Sequence, residues 1–204
     1  MNEFEKGLLK YLGKARLEHI QSYKIAIAGA GGLGSNCAWN LVRCGFKKFI
    51  VVDFDRIENS NLNRQFYFSN QLGEEKAHTL KENLLKINPD LDITAVCTKI
   101  TNENILSLFE DCQIIVEAFD KVEYKKMIIE AYMEKEQLLV AASGLAGWGN
   151  SDEIKVNKIK DTFYLIGDLN TEVSTDTPPM SPRVNIAAAK QADTILEFVL
   201  GKMA

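Results

Sequence analysis

A handful of residues in this chain could do chemistry at a phosphate. Gly29, Gly31 and Gly34 form a G-x-G-x-x-G turn after the apolar run Lys24–Ala28. Glycines at a strand-to-helix turn let a phosphate approach the backbone, and the helix that follows offers free N–H groups and a partial positive charge. Asp53 lies 24 residues beyond Gly29, at the end of a second apolar run, Phe49–Val52. A carboxylate there can accept both hydroxyls of a ribose. Farther on, Asn61, Arg64 and Lys76 supply an amide and two cations. Arginine presents a planar fork to phosphate oxygens, and lysine a compact charge. Asp120, at the end of the apolar run Gln113–Ala118, is a hard oxygen ligand suited to Mg²⁺. Taken singly, Arg64 and Lys76 would read as solvated surface charges. Together beyond a glycine turn, they suit a triphosphate better than a neutral nicotinamide.

Such residues converge only if the chain brings several strand ends to one rim. Lys24–Ala28, Phe49–Val52, Asp92–Thr98, Gln113–Ala118 and Leu138–Ala142 read as strands, with Glu153–Val156 and Phe163–Ile166 as two shorter ones. Helices are expected at Ser35–Cys44, at Asn102–Phe109, at Val122–Met133 and at Val184–Leu200. Another follows Gly73, where Ala77, Leu80, Leu84 and Ile87 recur at helical spacing until Asn88-Pro89 ends it. Phe4–Ser22 reads as helical with a break at Gly13. This alternation predicts an α/β, Rossmann-like, mainly parallel sheet with helices on both faces, and a small C-terminal strand and helix extension. Gly29, Asp53, Asp120 and Ser143 then share one rim, outside the carboxyl ends of the strands, where ligands bind in such folds.

Composition narrows the classes. With 204 residues, 46% hydrophobic and 25% charged, the chain is of ordinary globular make-up. Its net charge of −4 gives no support for a nucleic-acid partner. No apolar run approaches the roughly 20 residues of a membrane span, and MNEFEKGLLKYLGK is too charged for a secretory segment, so a cytoplasmic location is expected. Cys37, Cys44, Cys97 and Cys112 form no C-x-x-C pair, so no zinc ribbon is expected.

GAGGLGSN at 29–36, DFDRIENSNLNRQ at 53–65, EEKA at 74–77 and EAFDK at 117–121 resemble the ThiF/MoeB family, relatives of ubiquitin-activating enzymes. The resemblance runs from about Ser22 to the end. The short length, YFSNQLG at 67–73 and AASGLAGWG at 141–149 are similar to the compact ThiF subgroup of thiamine thiazole biosynthesis. The resemblance implies adenylation of the C-terminal glycine carboxylate of a small ubiquitin-like sulfur carrier, ending in Gly-Gly, with ATP and Mg²⁺. It also implies a homodimer. On this reading Gly31 and its neighbours Gly29, Gly32 and Gly34 line the phosphates and Asp53 holds the ribose. Asn61, Arg64 and Lys76 contact ribose and phosphates, and Asp120 binds the metal. The whole chain would be one ATP-binding domain: a helical segment at 1–23, the nucleotide-binding core at 24–166, a loop at 167–183 and a terminal helix at 184–204. The proline-bearing loop is expected to cover the carrier's tail.

Three departures from the family pattern stand out. The two C-x-x-C pairs of longer relatives are missing, no cysteine follows Cys112 to form a covalent sulfur link, and Arg16 is the only arginine before the first strand. Other readings are activation of another carrier, an RNA or a peptide by the same fold, a partner subunit without catalysis, and an NAD-dependent oxidoreductase. Keeping Asp53, Arg64, Lys76 and Asp120 together argues against the non-catalytic subunit.

Overall fold

The computed structural model describes residues 1–203. Seven strands form one sheet: β1 (Lys24–Ala28), β2 (Lys48–Val52), β3 (Asp92–Val96), β4 (Ile114–Glu117), β5 (Leu138–Ala142), β6 (Lys155–Lys160) and β7 (Phe163–Gly167). Their order is β3-β2-β1-β4-β5-β7-β6. All neighbours run parallel except β6, which pairs antiparallel with β7. The C-terminal strands thus lengthen the main sheet.

The alternation of side chains along β1 explains why both faces carry helices. Ile25 and Ile27 point into one core with Leu41 of α2 (Gly32–Cys44), Leu80 of α3 (Lys76–Leu85) and Ile195 of α6 (Ser181–Gly201). Ala26 and Ala28 face a second core with Ile105 of α4 (Ile105–Leu108) and with Ile128 and Tyr132 of α5 (Val122–Tyr132). Burying each large apolar side chain contributes about 1.5–3 kcal/mol, so a strand buried on both faces reads as a continuous apolar run. Helix α6 lies along α2 and over β5. At the N-terminus, α1 (Glu3–Ser22) is capped by the Asn2 side chain, which accepts from the Glu5 N–H, and it kinks at Gly13 (φ +74°), as its sequence predicts.

Strand β1 has β2 on one side and β4 on the other, so the strand order reverses there. A crevice at the carboxyl ends of β1 and β4 is the place such a topology gives a ligand. No helix among the described residues is long and apolar enough to cross a membrane.

Element ends differ from the sequence expectation for local reasons. Helix α2 begins at Gly32 rather than Ser35, because the glycine turn itself makes the first helical turn. Helix α3 stops at Leu85, and Ile87 packs on the core from beyond it. The expected helix at Asn102–Phe109 shrinks to α4, since the Asn104 side chain accepts from the Thr101 N–H (2.8 Å) and donates to the Lys99 carbonyl (3.0 Å). The strand expected at Glu153–Val156 lies instead at Lys155–Lys160, where pairing with β7 sets its limits, and Ser151–Glu153 forms a 3₁₀ turn. Helix α6 begins at Ser181 rather than Val184 because Pro182 falls in its first turn, where a missing N–H breaks no bond.

Candidate active site

The four glycines at the end of β1 do different things. Gly29 has φ +98°, and a Cβ there would lie 2.9 Å from the Ala118 carbonyl oxygen. A Cβ on Gly34 would lie 1.8 Å from the Gly29 carbonyl oxygen, and one on Gly32 would lie 2.9 Å from Cγ1 of Val184. These three let β1, β4 and α6 close around the turn. Gly31 is the open one: the nearest atom to a Cβ there is Nε2 of Gln65, at 3.8 Å. Gly31 also caps α2 without any side-chain bond to its first N–H groups. A helix N-terminus left this way favours an anion.

Asp53 stands beside the turn. Its carboxylate accepts from the N–H of Ala30 (2.6 Å) and of Asp55 (2.7 Å). Burial raises its pKa, while those two bonds and the charge of Lys76 oppose the rise. The carboxylate retains acceptor sites for hydroxyl donors. Behind it, Nζ of the buried Lys76 donates to Oδ2 of Asp55 (2.9 Å). The sequence reading aimed Lys76 at phosphates, and here it is paired with the second aspartate of D-x-D. Tyr67 locks this layer to the turn: its hydroxyl lies 2.7 Å from the Ala30 carbonyl and 3.1 Å from that of Lys76. Burial pushes the Tyr67 phenol far above its ordinary value, and the charge of Asp53 adds to the shift.

The loop after Asp53 folds back over α2. Ser35 Oγ accepts from the Phe66 N–H (3.0 Å), and Nδ2 of Asn36 donates to the Arg64 carbonyl (2.8 Å). Asn61 is buried and shapes the loop. Its side chain accepts from the Glu58 N–H (3.0 Å), and its carbonyl accepts from the N–H of Arg64 and of Gln65. Arg64 lays its stem by Gly32, and its Nη1 donates to the Ser60 carbonyl (2.9 Å) and to Asn63 (2.7 Å). Burial draws its guanidinium below its ordinary pKa, and the Asp120 carboxylate opposes this. Asp120 itself is exposed on the turn between β4 and α5. The fold therefore gathers Gly31, Asp53, Arg64 and Asp120 at one crevice, with Asn61 inside the loop and Lys76 behind Asp53.

Among the described residues, no group of three or more His, Cys, Asp or Glu side chains is placed to hold a metal ion. A lone exposed carboxylate fits Mg²⁺ only where substrate phosphates and water complete its shell, the usual way Mg²⁺ is held.

Sequence reasoning missed two buried ion pairs near this rim. Glu117 and Lys125 join beneath the Asp120 turn. The acid three places before Asp120 was a usable signal for it. Arg183 of α6 pairs with Asp168, and its Nη1 donates to the carbonyls of Gly149 (2.8 Å) and Asn150 (3.2 Å). This clasp joins the loop after β5 to the loop after β7, beside a cavity of about 420 Å³ that Trp148 and Thr177 also line. Partners so far apart in the chain leave no pattern of spacing.

A model of the ThiF family matches residues 5–203. The tRNA threonylcarbamoyladenosine dehydratase of Bacillus subtilis is 26% identical over 193 residues, covering 94% of this chain and 70% of that protein. The sulfur carrier protein ThiS adenylyltransferase of B. subtilis is 34% identical over 127 residues, 61% of this chain and 38% of that protein. The chain spans between 20% and 46% of the lengths of six further curated relatives. Among solved structures, E. coli tRNA N6-threonylcarbamoyladenosine dehydratase in complex with ATP superposes with a TM-score of 0.88 at 20% identity, covering 97% of this chain and 94% of that one. That likeness establishes the fold: an open α/β sheet whose strand order reverses beside a glycine turn. With the family match running almost end to end, this chain belongs to the ThiF family.

Proposed function

We propose that this chain uses ATP to adenylate a carboxylate carried by a macromolecule, releasing pyrophosphate. The observation that carries this is the crevice, where an open glycine turn and uncapped helix face Arg64 and Asp120, with Asp53 alongside. In this reaction a carboxylate oxygen attacks the α-phosphorus, the α–β bridging bond breaks, and pyrophosphate leaves. The N–H groups at the start of α2 and the Arg64 guanidinium take up phosphate charge, and Asp53 receives the ribose hydroxyls. Lys76, held by Asp55, keeps a positive charge behind Asp53. Asp120 would hold Mg²⁺, which would supply further neutralisation of phosphate charge. Holding two anions together is positioning plus electrostatics, and no protein nucleophile is needed.

Two sources of the carboxylate have support. The tRNA threonylcarbamoyladenosine dehydratase matches 94% of the chain, against 61% for the ThiS adenylyltransferase, which favours a nucleoside-borne carboxylate. A threonylcarbamoyl group carries a free carboxylate, and adenylation makes its oxygen a leaving group, as loss of water requires. The second reading is a Gly-Gly-tailed sulfur carrier, supported by 34% identity to the ThiS enzyme. ATP–pyrophosphate exchange, assayed with modified tRNA and with a ThiS-like carrier in parallel, separates them. Exchange with neither, and none with other carboxylate donors, would remove adenylation.

Within this reading, Arg64→Ala should lower the exchange rate by about 10²–10³, the usual loss when one preorganised charge facing the transferring group is removed. Lys158, on β6 and paired with Asp161, is the control and should change little when replaced by alanine. Equal, small effects at both positions would make Arg64 a surface charge.

A further inference from the structure

We infer that Glu117 is a positioning residue for Asp120: its buried carboxylate fastens both ends of the turn on which Asp120 stands. The inference rests on the proposed role of Asp120. Glu117 is the last residue of β4 and is wholly buried. Its Oε1 accepts from the Phe119 N–H (2.7 Å) and from Nζ of Lys125 (2.9 Å). Its Oε2 accepts from the same Nζ (3.1 Å) and from the Ala142 N–H (3.2 Å). Phe119 lies just before Asp120, and Lys125 lies on the first turns of α5, just after it. The short turn carrying Asp120 is therefore held at each end by one carboxylate. Lys125 also donates to the Ala142 carbonyl (2.8 Å), so the end of β5 belongs to the same knot.

The bond count separates the two acids of EAFDK. An ionised carboxylate has about four acceptor sites, and Glu117 spends all four within the protein. It has none left for a metal or a substrate. Asp120 is exposed, and its charge acts on the Arg64 guanidinium. One acid is thus set to bind and the other to hold it in place, the arrangement by which outer partners orient a metal ligand.

A buried pair left half-broken is costly, so the variants should be chosen to keep the knot's shape. Glu117→Gln replaces one acceptor oxygen by a donor facing Lys125 or the Ala142 N–H. Lys125→Met keeps the Phe119 anchor but frees the helix end and the Ala142 carbonyl. Calorimetric titration of ATP, with Mg²⁺ and with EDTA, reads the effect directly. In the parent protein Mg²⁺ should tighten ATP binding. In Glu117→Gln that enhancement should fall by about tenfold, as is usual for loss of an outer-shell partner, while the EDTA affinity stays within twofold. Lys125→Met should lose less, and Lys125→Arg should restore most of it. Hydrogen exchange at the Phe119 amide should speed up in Glu117→Gln. A merely structural role would weaken ATP binding equally with and without Mg²⁺, whatever the melting temperature, and that result would overturn the inference. If Glu117→Gln does not fold, an unchanged Mg²⁺ enhancement in folded Lys125→Met overturns it as well. A parent protein whose ATP binding ignores Mg²⁺, or an Asp120→Asn variant with full enhancement, would instead sink the role proposed for Asp120.

Discussion

Replacing Asp120 by alanine is expected to abolish ATP–pyrophosphate exchange and leave the fold intact. The side chain is exposed, so its deletion removes no core packing. Its backbone turn stays fastened through the Phe119 N–H and Lys125. What is lost, on the proposed reading, is an exposed carboxylate that would carry Mg²⁺ against the phosphates. Charge neutralisation is the main thing a protein offers such a transfer, and losing a single preorganised element costs about 10²–10³ in rate even without a metal. Losing the metal as well should take exchange to background. Circular dichroism and the melting temperature of the variant should match the parent. Near-normal exchange by a folded Asp120→Ala would take Asp120 out of the mechanism.

Alanine at Gly34 should be among the most damaging single methyls in the protein. Its Cβ would sit 1.8 Å from the Gly29 carbonyl oxygen and 3.1 Å from Cβ of Ala118. Neither neighbour can swing away, since one is backbone and the other is the first atom of a side chain on β4's exit. Relief requires α2 to lift off β1, and overpacking of this kind costs on the order of 3 kcal/mol, much of a domain's stability. Gly31→Ala makes the contrast. Its Cβ would meet nothing nearer than 3.8 Å, so the variant should fold and melt normally. The added methyl would instead occupy the space a phosphate needs, and the KM for ATP should rise. Denaturant unfolding of both variants, with ATP kinetics for Gly31→Ala, tests the pair. A Gly34→Ala protein as stable as the parent would mean that the turn yields more readily than its packing implies.

The parts of this site visible in the sequence were those fixed by local rules. Strands buried on both faces leave apolar runs, and a glycine turn between strand and helix leaves its spacing. Gly29, Asp53 and Asp120 could be placed on one rim because each follows such a run. Element limits were harder: pairing with β7, not composition, sets Lys155–Lys160. Lys76 shows a different limit. Its type and position suit a phosphate, while the Asp55 partner it meets here is set by how α3 docks, which the sequence does not state. The motifs that suggested a thiamine subgroup have structural work to do. Tyr67 locks Ala30, while Gln71 exchanges bonds with Asn83 and accepts from the Phe68 N–H. In AASGLAGWG, Gly144 (φ +76°) leaves room for Asp168, and the Gly147 N–H donates to the Pro178 carbonyl. These residues mark how the chain packs and say little about which carboxylate it would activate.

Helix α6 also bears on how the chain can be made. Ala187, Ala188, Ile195 and Val199 belong to the same core as β1 and α2, the first elements after the opening helix. During synthesis the nucleotide rim emerges early, with one of its supporting faces bare until Ser181–Gly201 leaves the ribosome. Folding of this core therefore waits for α6, and the nascent chain shows an open apolar surface throughout that wait, the kind of exposure that chaperones bind. A stop codon or frameshift shortly before Ser181 should yield a product that keeps every residue of the crevice and is still cleared by proteolysis, because the damage lies in the missing cover.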